Sequence, residues 1–290
     1  MNGALAIFVK TPGHSQVKSR LAADCGARYA QDWYRHAAAA VGAVAREAQA
    51  RFGLVAYWAV AEPDALGQWP GLPTIAQGEG GLGERMARVH AQLVAQHGFG
   101  ILIGADAPQV SAALLGEAHD WLASTSQRLA LGPADDGGFW LFGANVTPPL
   151  AAWSAVQYSA ADTARDLRNN MHELGAWRTL MTLSDVDHGR DLSAMQHALQ
   201  AMSEPGAEQR ALAEWMREQE CLHEGAPGPS EVTFFAKYSR EGGNPATLPS
   251  KDSKSLDDQP SAVEERPCLR GRDETAFGLF DTSAHDRTRS

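Results

Sequence analysis

Short apolar runs alternate with segments of helical periodicity up to about residue 220 of this chain. The apolar runs predict buried β-strands at residues 4–9, 54–60, 99–104, 128–131, 139–142 and 179–183. Apolar residues three and four positions apart predict helices at residues 27–51, 82–96, 112–123, 160–174, 192–202 and 207–218, the third of them capped by Ser111. Strands separated by helices favour a mainly parallel sheet covered on both faces. The sequence therefore predicts an α/β domain over residues 1–220.

The composition changes after Cys221. From there to the end, Gly, Pro, Ser and mixed charges dominate, and no hydrophobic periodicity is sustained. Such a composition buries too little apolar area to offset the entropy lost on ordering. We therefore predict a disordered, low-order tail over residues 221–290, although short apolar clusters at 232–235 and 277–280 leave docking or pairing open.

Composition and charge narrow the class of function. Hydrophobic residues make up 44% of the chain, which is enough for a sizeable core. The net charge of −10 argues against binding of DNA or RNA, which relies on Lys and Arg to neutralise phosphates. A nucleotide substrate remains compatible with this charge, because a few basic groups and a metal ion can hold its phosphates. The three cysteines form no CxxC pair, which indicates a reducing compartment and neither a zinc site nor a disulfide framework.

The apolar start of the chain is predicted as a first strand and not as a signal peptide, because no basic segment precedes it. No apolar run approaches the roughly 20 residues that span a bilayer. The expected location is therefore the cytoplasm, with no membrane span. The sequence indicates no particular oligomeric state.

Two segments with glycine, proline and basic residues follow predicted strands or begin helices. After the first strand, Pro12 and Gly13 form a turn whose backbone N–H groups can face an anion, and Lys18 and Arg20 add positive charge. An ordinary solvated turn explains this loop equally well. The second segment, GGLGERM at residues 80–86, is a glycine-rich start of a helix, where backbone amides favour a phosphate. The alternative is that its glycines only make a turn.

Three further segments carry carboxylates at or near the ends of predicted strands. The apolar strand ILIGADAP places Asp106 at the upper edge of the sheet, where ligands bind in open α/β folds. Hard oxygen ligands of this kind suit Mg²⁺ or Mn²⁺, although a lone Asp at a strand end is often only a turn residue. In LGPADDGGFWLF, Asp135 and Asp136 precede two glycines, which indicates either a polar acceptor site or a plain Asp-Gly turn.

The third carboxylate segment is LSDVDHGRDL at residues 183–192. Asp185 and Asp187 alternate in an extended stretch and so point the same way. Asp187 and Asp106 could then converge on one cation from two strand ends, with His188 as a neighbour. The alternative is that Asp187 or Asp191 caps the helix that follows.

Taken in order, these motifs resemble a bacterial family of nucleotide-diphospho-sugar-transferase-like proteins. The family pattern is FxKxPxxGxVKTRL, GxLGERM, a strand ending DxP, LGPAxDGGYxLxG and a late DVDTxxDL, and this chain has IFVKTPGHSQVKSRL, GGLGERM, GADAP, LGPADDGGFWLFG and DVDHGRDL over residues 4–200. Members are labelled glycosyltransferases and are associated with arsenosugar-biosynthesis or radical-SAM gene neighbourhoods. The architecture is also similar to that of guanylyltransferases that build molybdenum or deazaflavin cofactors.

The resemblance implies a GT-A-type, Rossmann-like domain and assigns roles to the matching residues. The implied nucleotide-phosphate site comprises Lys10, Pro12, Gly13, Lys18, Arg20, Gly83 and Arg85. The implied metal ligands are Asp106 and Asp187, binding Mg²⁺ or Mn²⁺, and Asp135 and Asp136 would border the acceptor or sugar pocket. The chain departs from the pattern at Ser19 and His188, where the family has Thr, and in QYSAADT at residues 157–163, where the family has a Trp-Ser-Thr segment.

The resemblance favours glycosyl transfer from a nucleotide-sugar donor to a small-molecule acceptor. Asp106 would serve catalysis through the metal, and Asp135 or Asp136 would act as the base if the acceptor hydroxyl needs one. Two alternatives stay open. The same metal and basic loop would serve a nucleotidyltransferase that uses a nucleoside triphosphate and a phosphorylated cofactor precursor, and a degenerate fold would serve as a non-catalytic nucleotide-binding module.

Overall fold

A computed structural model describes residues 2–224 of the chain. The strands are Ala4–Val9 (β1), Val55–Val60 (β2), Thr74–Ala76 (β3), Gly100–Gly104 (β4), Arg128–Pro133 (β5), Phe139–Ala144 (β6) and Ala176–Thr179 (β7). The α-helices are Ser19–Cys25 (α1), Ala27–Phe52 (α2), Leu82–His97 (α3), Ala112–Leu122 (α4), Leu150–Ser154 (α5), Thr163–Asn170 (α6), Leu192–Gln200 (α7) and Ala207–Glu224 (α8). Short 3₁₀ helices lie at Pro63–Gln68, His172–Leu174 and Gly189–Asp191.

The strands form one seven-stranded sheet in the order β3-β2-β1-β4-β6-β5-β7. β1 pairs in parallel with both β2 and β4, so that Ala4 lies opposite Val55 on one side and Gly100 on the other. β6 runs antiparallel to both of its neighbours, β4 and β5. The other pairs are parallel. The predicted α/β fold with a mainly parallel sheet is therefore confirmed for the described residues.

The central strand β1 explains why both faces of the sheet are covered. Its odd-numbered residues, Leu5, Ile7 and Val9, belong to a hydrophobic cluster with residues of α2, α4 and α8. Its even-numbered residues, Ala4 and Ala6, belong to a second cluster with residues of α3, α5 and α6. Successive side chains of a strand point to opposite faces, so a strand buried on both sides is a continuous apolar run. That is why the run at the start of the chain predicted β1 correctly.

Two predicted elements are displaced or shortened in the structure, and three observed elements, β3, α1 and α5, were not predicted. The strand expected at residues 179–183 lies earlier, at Ala176–Thr179, and the helix expected at 160–174 is confined to Thr163–Asn170 with a 3₁₀ turn after it. α1 was not predicted as a helix, and it begins inside the basic loop. The tail prediction falls almost entirely on residues 225–290, which lie outside the described part of the chain. Within residues 2–224, no helix has both the length and the apolar character needed to cross a membrane.

Candidate functional site

A cavity of about 980 Å³ lies at the edge of the sheet where β1, β4 and β5 end and the antiparallel β6 begins. We call it the sheet-edge cavity. Its wall is completed by the first residues of α1 and α3, the loop before α6, and the segment between β7 and α7. The carboxyl ends of parallel strands are where open α/β sheets bind ligands. The position of the cavity therefore follows from the topology.

Lys18 stands at the centre of the charged part of the cavity. Its Nζ lies 2.8 Å from Asp106 Oδ2, 3.2 Å from Asp187 Oδ1 and 3.8 Å from Asp185 Oδ2. The Lys18 side chain is only 7% exposed, and its backbone is left-handed, with φ 45° and ψ 54°, at the residue before α1. A residue with a side chain rarely adopts this conformation unless its surroundings impose it. In this conformation the Lys18 ammonium contacts the three carboxylates.

Burial and neighbouring charges shift the pKa values of Lys18, Asp106 and Asp185. Burial alone would lower the pKa of Lys18, but the carboxylates, above all Asp106, outweigh it and raise the pKa. Burial likewise opposes ionisation of Asp106, yet the contact with Lys18 leaves the Asp106 pKa below its usual value. For Asp185 burial prevails and, with the neighbouring carboxylates, raises the pKa to about 6. Lys18 and Asp106 are therefore a charged pair at neutral pH.

Local sequence explains how Asp106 reaches Lys18. A Cβ atom at Gly104 would lie 2.6 Å from Asp106 Oδ1. Glycine at the last position of β4 therefore lets the carboxylate fold back against the end of its own strand. The motif GAD at the strand end thus has a steric reason beyond the turn that it makes.

The segment between β7 and α7 is fastened to α1. Arg20 of α1 contacts Asp187 Oδ2 at 2.6 Å. Asp24 Oδ2 accepts a hydrogen bond from the Gly189 N–H at 2.9 Å and lies 3.1 Å from Nδ1 of His188. Asp191 accepts the N–H groups of both Asp187 and His188, at 3.1 and 2.7 Å. These contacts fix the Asp187 carboxylate beside Lys18.

The basic loop between β1 and α1 is anchored on the far side by the segment after β2. The Thr11 N–H donates to Glu62 Oε2 at 2.9 Å, and Nε1 of Trp69 donates to the Thr11 hydroxyl at 2.9 Å. His14 lies 3.3 Å from Asp64 through Nδ1. Because the loop is held at its start, Lys18 and Arg20 are presented to the cavity by a fixed backbone.

The turn between β5 and β6 forms another wall. Asp136 Oδ1 accepts the Gly138 N–H at 2.8 Å, and the Ser184 hydroxyl donates to Asp135. Gly137 has a φ of +87°, and a Cβ there would lie 1.9 Å from the carbonyl oxygen of Ala161. Gly137 therefore permits both the left-handed turn and the close approach of the loop before α6.

Carboxylate oxygens of Asp136, Asp185 and Asp187 lie within 4.8 Å of one another. This separation and their all-oxygen character fit a hard divalent cation such as Mg²⁺ or Mn²⁺. Asp106 and Asp187 were predicted to converge on one cation. In the structure both contact the same cationic group, the ammonium of Lys18.

The cavity brings together some of the predicted site residues and not others. Its lining includes Lys10, Lys18, Arg20, Asp106, Asp135, Asp136 and Asp187. Four predicted phosphate-site residues, Pro12, Gly13, Gly83 and Arg85, do not line it. A Cβ at Gly83 would lie 2.8 Å from the Tyr158 ring and 2.9 Å from the Trp153 carbonyl oxygen, so that glycine serves packing. Nε of Arg85 donates a hydrogen bond to the Gly80 carbonyl oxygen at 2.8 Å, just before the start of α3.

Tyr34 and Arg190 are among the cavity residues to which sequence reasoning assigned no role. Tyr34 lies in the first third of α2, where apolar periodicity marks only a buried face. Arg190 lies in a short 3₁₀ helix beside the predicted carboxylates. No local motif distinguishes either from an ordinary helical residue, so only the fold reveals them.

Comparison with known proteins places the chain by fold. The family model described as "Uncharacterized protein conserved in bacteria (DUF2064)" matches residues 35–160. A protein from Desulfovibrio desulfuricans G20, assigned as a nucleotide-diphospho-sugar transferase, superposes with a TM-score of 0.65 at 24% identity, covering 76% of this chain and 96% of the other. The resemblance to nucleotide-diphospho-sugar-transferase-like proteins is thereby confirmed at the level of the fold.

Two further solved structures are more distant. A 4-diphosphocytidyl-2C-methyl-D-erythritol synthase from Anaerococcus prevotii has a TM-score of 0.44 at 9% identity, covering 69% of this chain and 100% of its own. A manganese complex of Rv0371C from Mycobacterium tuberculosis has a TM-score of 0.39 at 16% identity, covering 67% of this chain and 97% of its own. No curated protein matches the chain.

Proposed function

We propose that this protein is a metal-dependent transferase that takes a glycosyl group from a nucleotide-sugar donor and passes it to a small-molecule acceptor in the cytoplasm. The proposal is supported by the fold, by the position of the sheet-edge cavity and by the charges that line it. The balance of carboxylates and cationic side chains in the cavity is the observation that favours glycosyl transfer over nucleotidyl transfer.

Among the described residues, six carboxylates and four cationic side chains line the cavity. The cations are Lys10, Lys18, Arg20 and Arg190, and the carboxylates are Asp106, Asp135, Asp136, Asp185, Asp187 and Asp191. Nucleotidyl transfer would bring a triphosphate and a phosphorylated acceptor together in this space. A nucleotide sugar and a neutral acceptor bring far less negative charge, and so suit a cavity whose own carboxylates outnumber its cations.

The proposed roles follow from the contacts. Lys18 and Arg20 contact the diphosphate of the donor, because they are the cations nearest to the Asp106–Asp187 pair. Asp106 and Asp187 hold the divalent cation, with Asp136 and Asp185 within reach of Asp187. A divalent cation held by these residues would supply positive charge against the diphosphate as it leaves.

Proton removal from the acceptor is assigned to Asp135. Asp136 lies in the group of carboxylates that fits a cation, whereas Asp135 lies beside it and accepts a hydrogen bond from Ser184. One oxygen of Asp135 is engaged by that serine, so the other is available to an acceptor hydroxyl in the cavity. Asp135 lies on the turn between β5 and β6, which packs against the loop before α6.

The reaction class is tested by incubating the full chain with Mn²⁺ or Mg²⁺ and panels of nucleotide sugars and nucleoside triphosphates, each with candidate acceptors. Release of a free nucleoside diphosphate in the presence of an acceptor is the expected result. Release of pyrophosphate from a triphosphate would instead establish nucleotidyl transfer. Metal-dependent nucleotide binding without any turnover would identify a binding module.

The cation site is tested with Asp106→Asn, which keeps the shape of the side chain and removes its charge. We expect the metal-dependent part of the nucleotide-induced rise in melting temperature to disappear, because binding to the folded state alone produces that rise. Asp120→Asn is the control, since Asp120 is an exposed residue of α4 outside the cavity. Fully retained metal dependence in Asp106→Asn would show that Asp106 is not a ligand.

A further inference from the structure

The hydroxyl of Tyr34 lies in the wall of the sheet-edge cavity. The Lys10 N–H, directly after β1, donates to Tyr34 Oη at 3.1 Å. The residue is only 7% exposed and borders the cavity together with Lys10, Lys18 and Asp106. A side chain from the first third of α2 thus reaches the end of the central strand.

The hydrogen-bonding capacity of this hydroxyl is half used. A tyrosine hydroxyl can accept hydrogen bonds and donate one. Its oxygen accepts from Lys10, but among the hydrogen bonds of residues 2–224 no acceptor takes its proton. A buried donor without an acceptor costs free energy, so such groups normally have a partner. The cavity is the direction in which a partner can arrive.

The hydroxyl keeps its proton under ordinary conditions. Burial raises the pKa of Tyr34 well above its usual value, and the nearby Asp106 adds to the rise more than Lys18 lowers it. At neutral pH the group is therefore a neutral donor. Asp106 is already held by Lys18 at 2.8 Å, so its charge is engaged elsewhere.

We propose that the Tyr34 hydroxyl donates a hydrogen bond to a phosphate oxygen of the bound nucleotide and so positions the diphosphate beside Lys18. This inference rests on the proposed function, since it names a further binding residue for the same donor. A phosphate oxygen fits better than a neutral ligand atom, because an anionic acceptor makes a stronger bond to a buried hydroxyl. The place also fits, since Lys18 lines the same cavity and is close enough to Tyr34 to act on it electrostatically.

Tyr34→Phe removes the proton donor and keeps the ring. We expect the affinity for a nucleoside diphosphate to fall about tenfold, as a lost hydrogen bond to a charged group predicts. The affinity for the matching nucleoside, which lacks phosphates, should stay within about twofold. Both are measured by calorimetric titration of the full chain in Mn²⁺, with the base that binds best to the wild type.

Tyr158→Phe is the matched control. Tyr158 also lines the cavity, but its hydroxyl already donates to the Trp153 carbonyl at 3.0 Å. Its loss should leave the ratio of diphosphate to nucleoside affinity unchanged. Tyr34→Phe makes two changes, because it removes the proton donor and also leaves the Lys10 N–H without its acceptor. Tyr34→4-aminophenylalanine is therefore added as a rescue variant. Its amino group retains a proton donor at this position and should restore the ratio.

The outcomes separate the two proposals. A selective loss for the diphosphate in Tyr34→Phe, restored by the amino analogue, supports the assignment of Tyr34. Equal losses for diphosphate and nucleoside, or none, overturn that assignment and leave the proposed function intact. If the wild-type chain binds no nucleotide with either metal, the proposed function fails, and the role of Tyr34 fails with it.

Discussion

At the scale of single residues, Lys18 carries the most unusual combination of properties. It is buried, it faces three carboxylates, and its backbone is left-handed. A buried charge is tolerated when it is paired and hydrogen-bonded. The ammonium therefore neutralises the carboxylates that are proposed to hold a divalent cation, and the two cations compete for Asp106 and Asp187.

This competition leads to a prediction for Lys18→Met. Without metal, the variant should lose on the order of 2 kcal/mol of unfolding free energy, because breaking a partly buried ion pair leaves its carboxylates uncompensated. Mn²⁺ alone, with no nucleotide, should then raise its melting temperature more than it raises that of the wild type. Thermal unfolding with and without Mn²⁺ measures both effects.

Arg20→Met is the matched control for Lys18→Met. Arg20 also contacts Asp187, but its side chain is 59% exposed, so solvent already screens that pair. Its removal should cost little stability and change the response to Mn²⁺ less. Identical Mn²⁺ shifts in the wild type and in Lys18→Met would mean that the ammonium does not compete for the cation site.

At the scale of elements, short turns determine which loops of the sheet-edge cavity contact each other. The turn between β5 and β6 touches the loop before α6, and the Ala164 N–H donates to the Gly137 carbonyl at 2.9 Å. Gly137 is left-handed here, and a Cβ on it would overlap the Ala161 carbonyl oxygen. Gly137 therefore helps to set the position of the Asp135 and Asp136 carboxylates.

Gly137→Ala should destabilise the fold by about 2 kcal/mol or more, since an L-residue is strained at this φ and its Cβ would overlap the Ala161 carbonyl oxygen. Urea unfolding measures the change. Gly67→Ala is the control, because a Cβ at Gly67 meets nothing within 4 Å. An unchanged midpoint in Gly137→Ala would mean that the two loops do not pack as described.

The elements also show where sequence patterns succeed and fail. Buried strands of the central sheet are continuous apolar runs, so their positions were predictable. β7 was placed too late, because Leu180 and Leu183 are buried although they follow the strand, while Met181 between them is 59% exposed. An apolar pattern reports burial and not backbone pairing. α1 escaped prediction because it begins at the left-handed Lys18 without a side-chain cap.

At the scale of the whole molecule, the direction of β6 was readable in principle. The connection of residues 134–138 between β5 and β6 is too short for a parallel crossover, which needs about a dozen residues, so the pair must be antiparallel. The neighbours in the sheet were not readable, because β4 pairs with β6 and β5 with β7 across long stretches of chain.

The site shows the same division. Local motifs singled out Asp106, Asp187 and the basic loop. Their meeting is non-local, since Lys18 is 88 residues from Asp106 and 169 from Asp187. A sequence can show that a residue ends a strand, but the partner across the cavity depends on the order of strands. Whether these residues bind a cation stays a prediction for the variants above.

A buried histidine gives the fold a pH dependence. His90 is a buried residue of α3 whose ring lies 5.3 Å from that of Phe142 in β6, and burial lowers its pKa to about 4. The unfolded chain binds this proton near pH 6.5. Between these values the unfolded state holds more protons, so the contribution of His90 to stability is present above pH 6.5 and is lost as the pH falls toward 4.

His90→Leu should remove this dependence. Between pH 7.5 and 4.5 the wild type should lose about 2 to 3 kcal/mol more unfolding free energy than the variant. Urea unfolding at a series of pH values measures the two curves. His197→Leu, at an exposed position of α7, should follow the wild type. Parallel curves for wild type and His90→Leu would contradict the burial argument.

The surplus of carboxylates in the sheet-edge cavity also bears on turnover. In the proposed reaction the nucleoside diphosphate gains a negative charge when the sugar leaves it, while the lining keeps its own charges. The carboxylates therefore repel the product more strongly than they repelled the donor. In many enzymes product release limits the rate. Here the aspartates that are proposed to bind the cation would also favour dissociation of the nucleoside diphosphate.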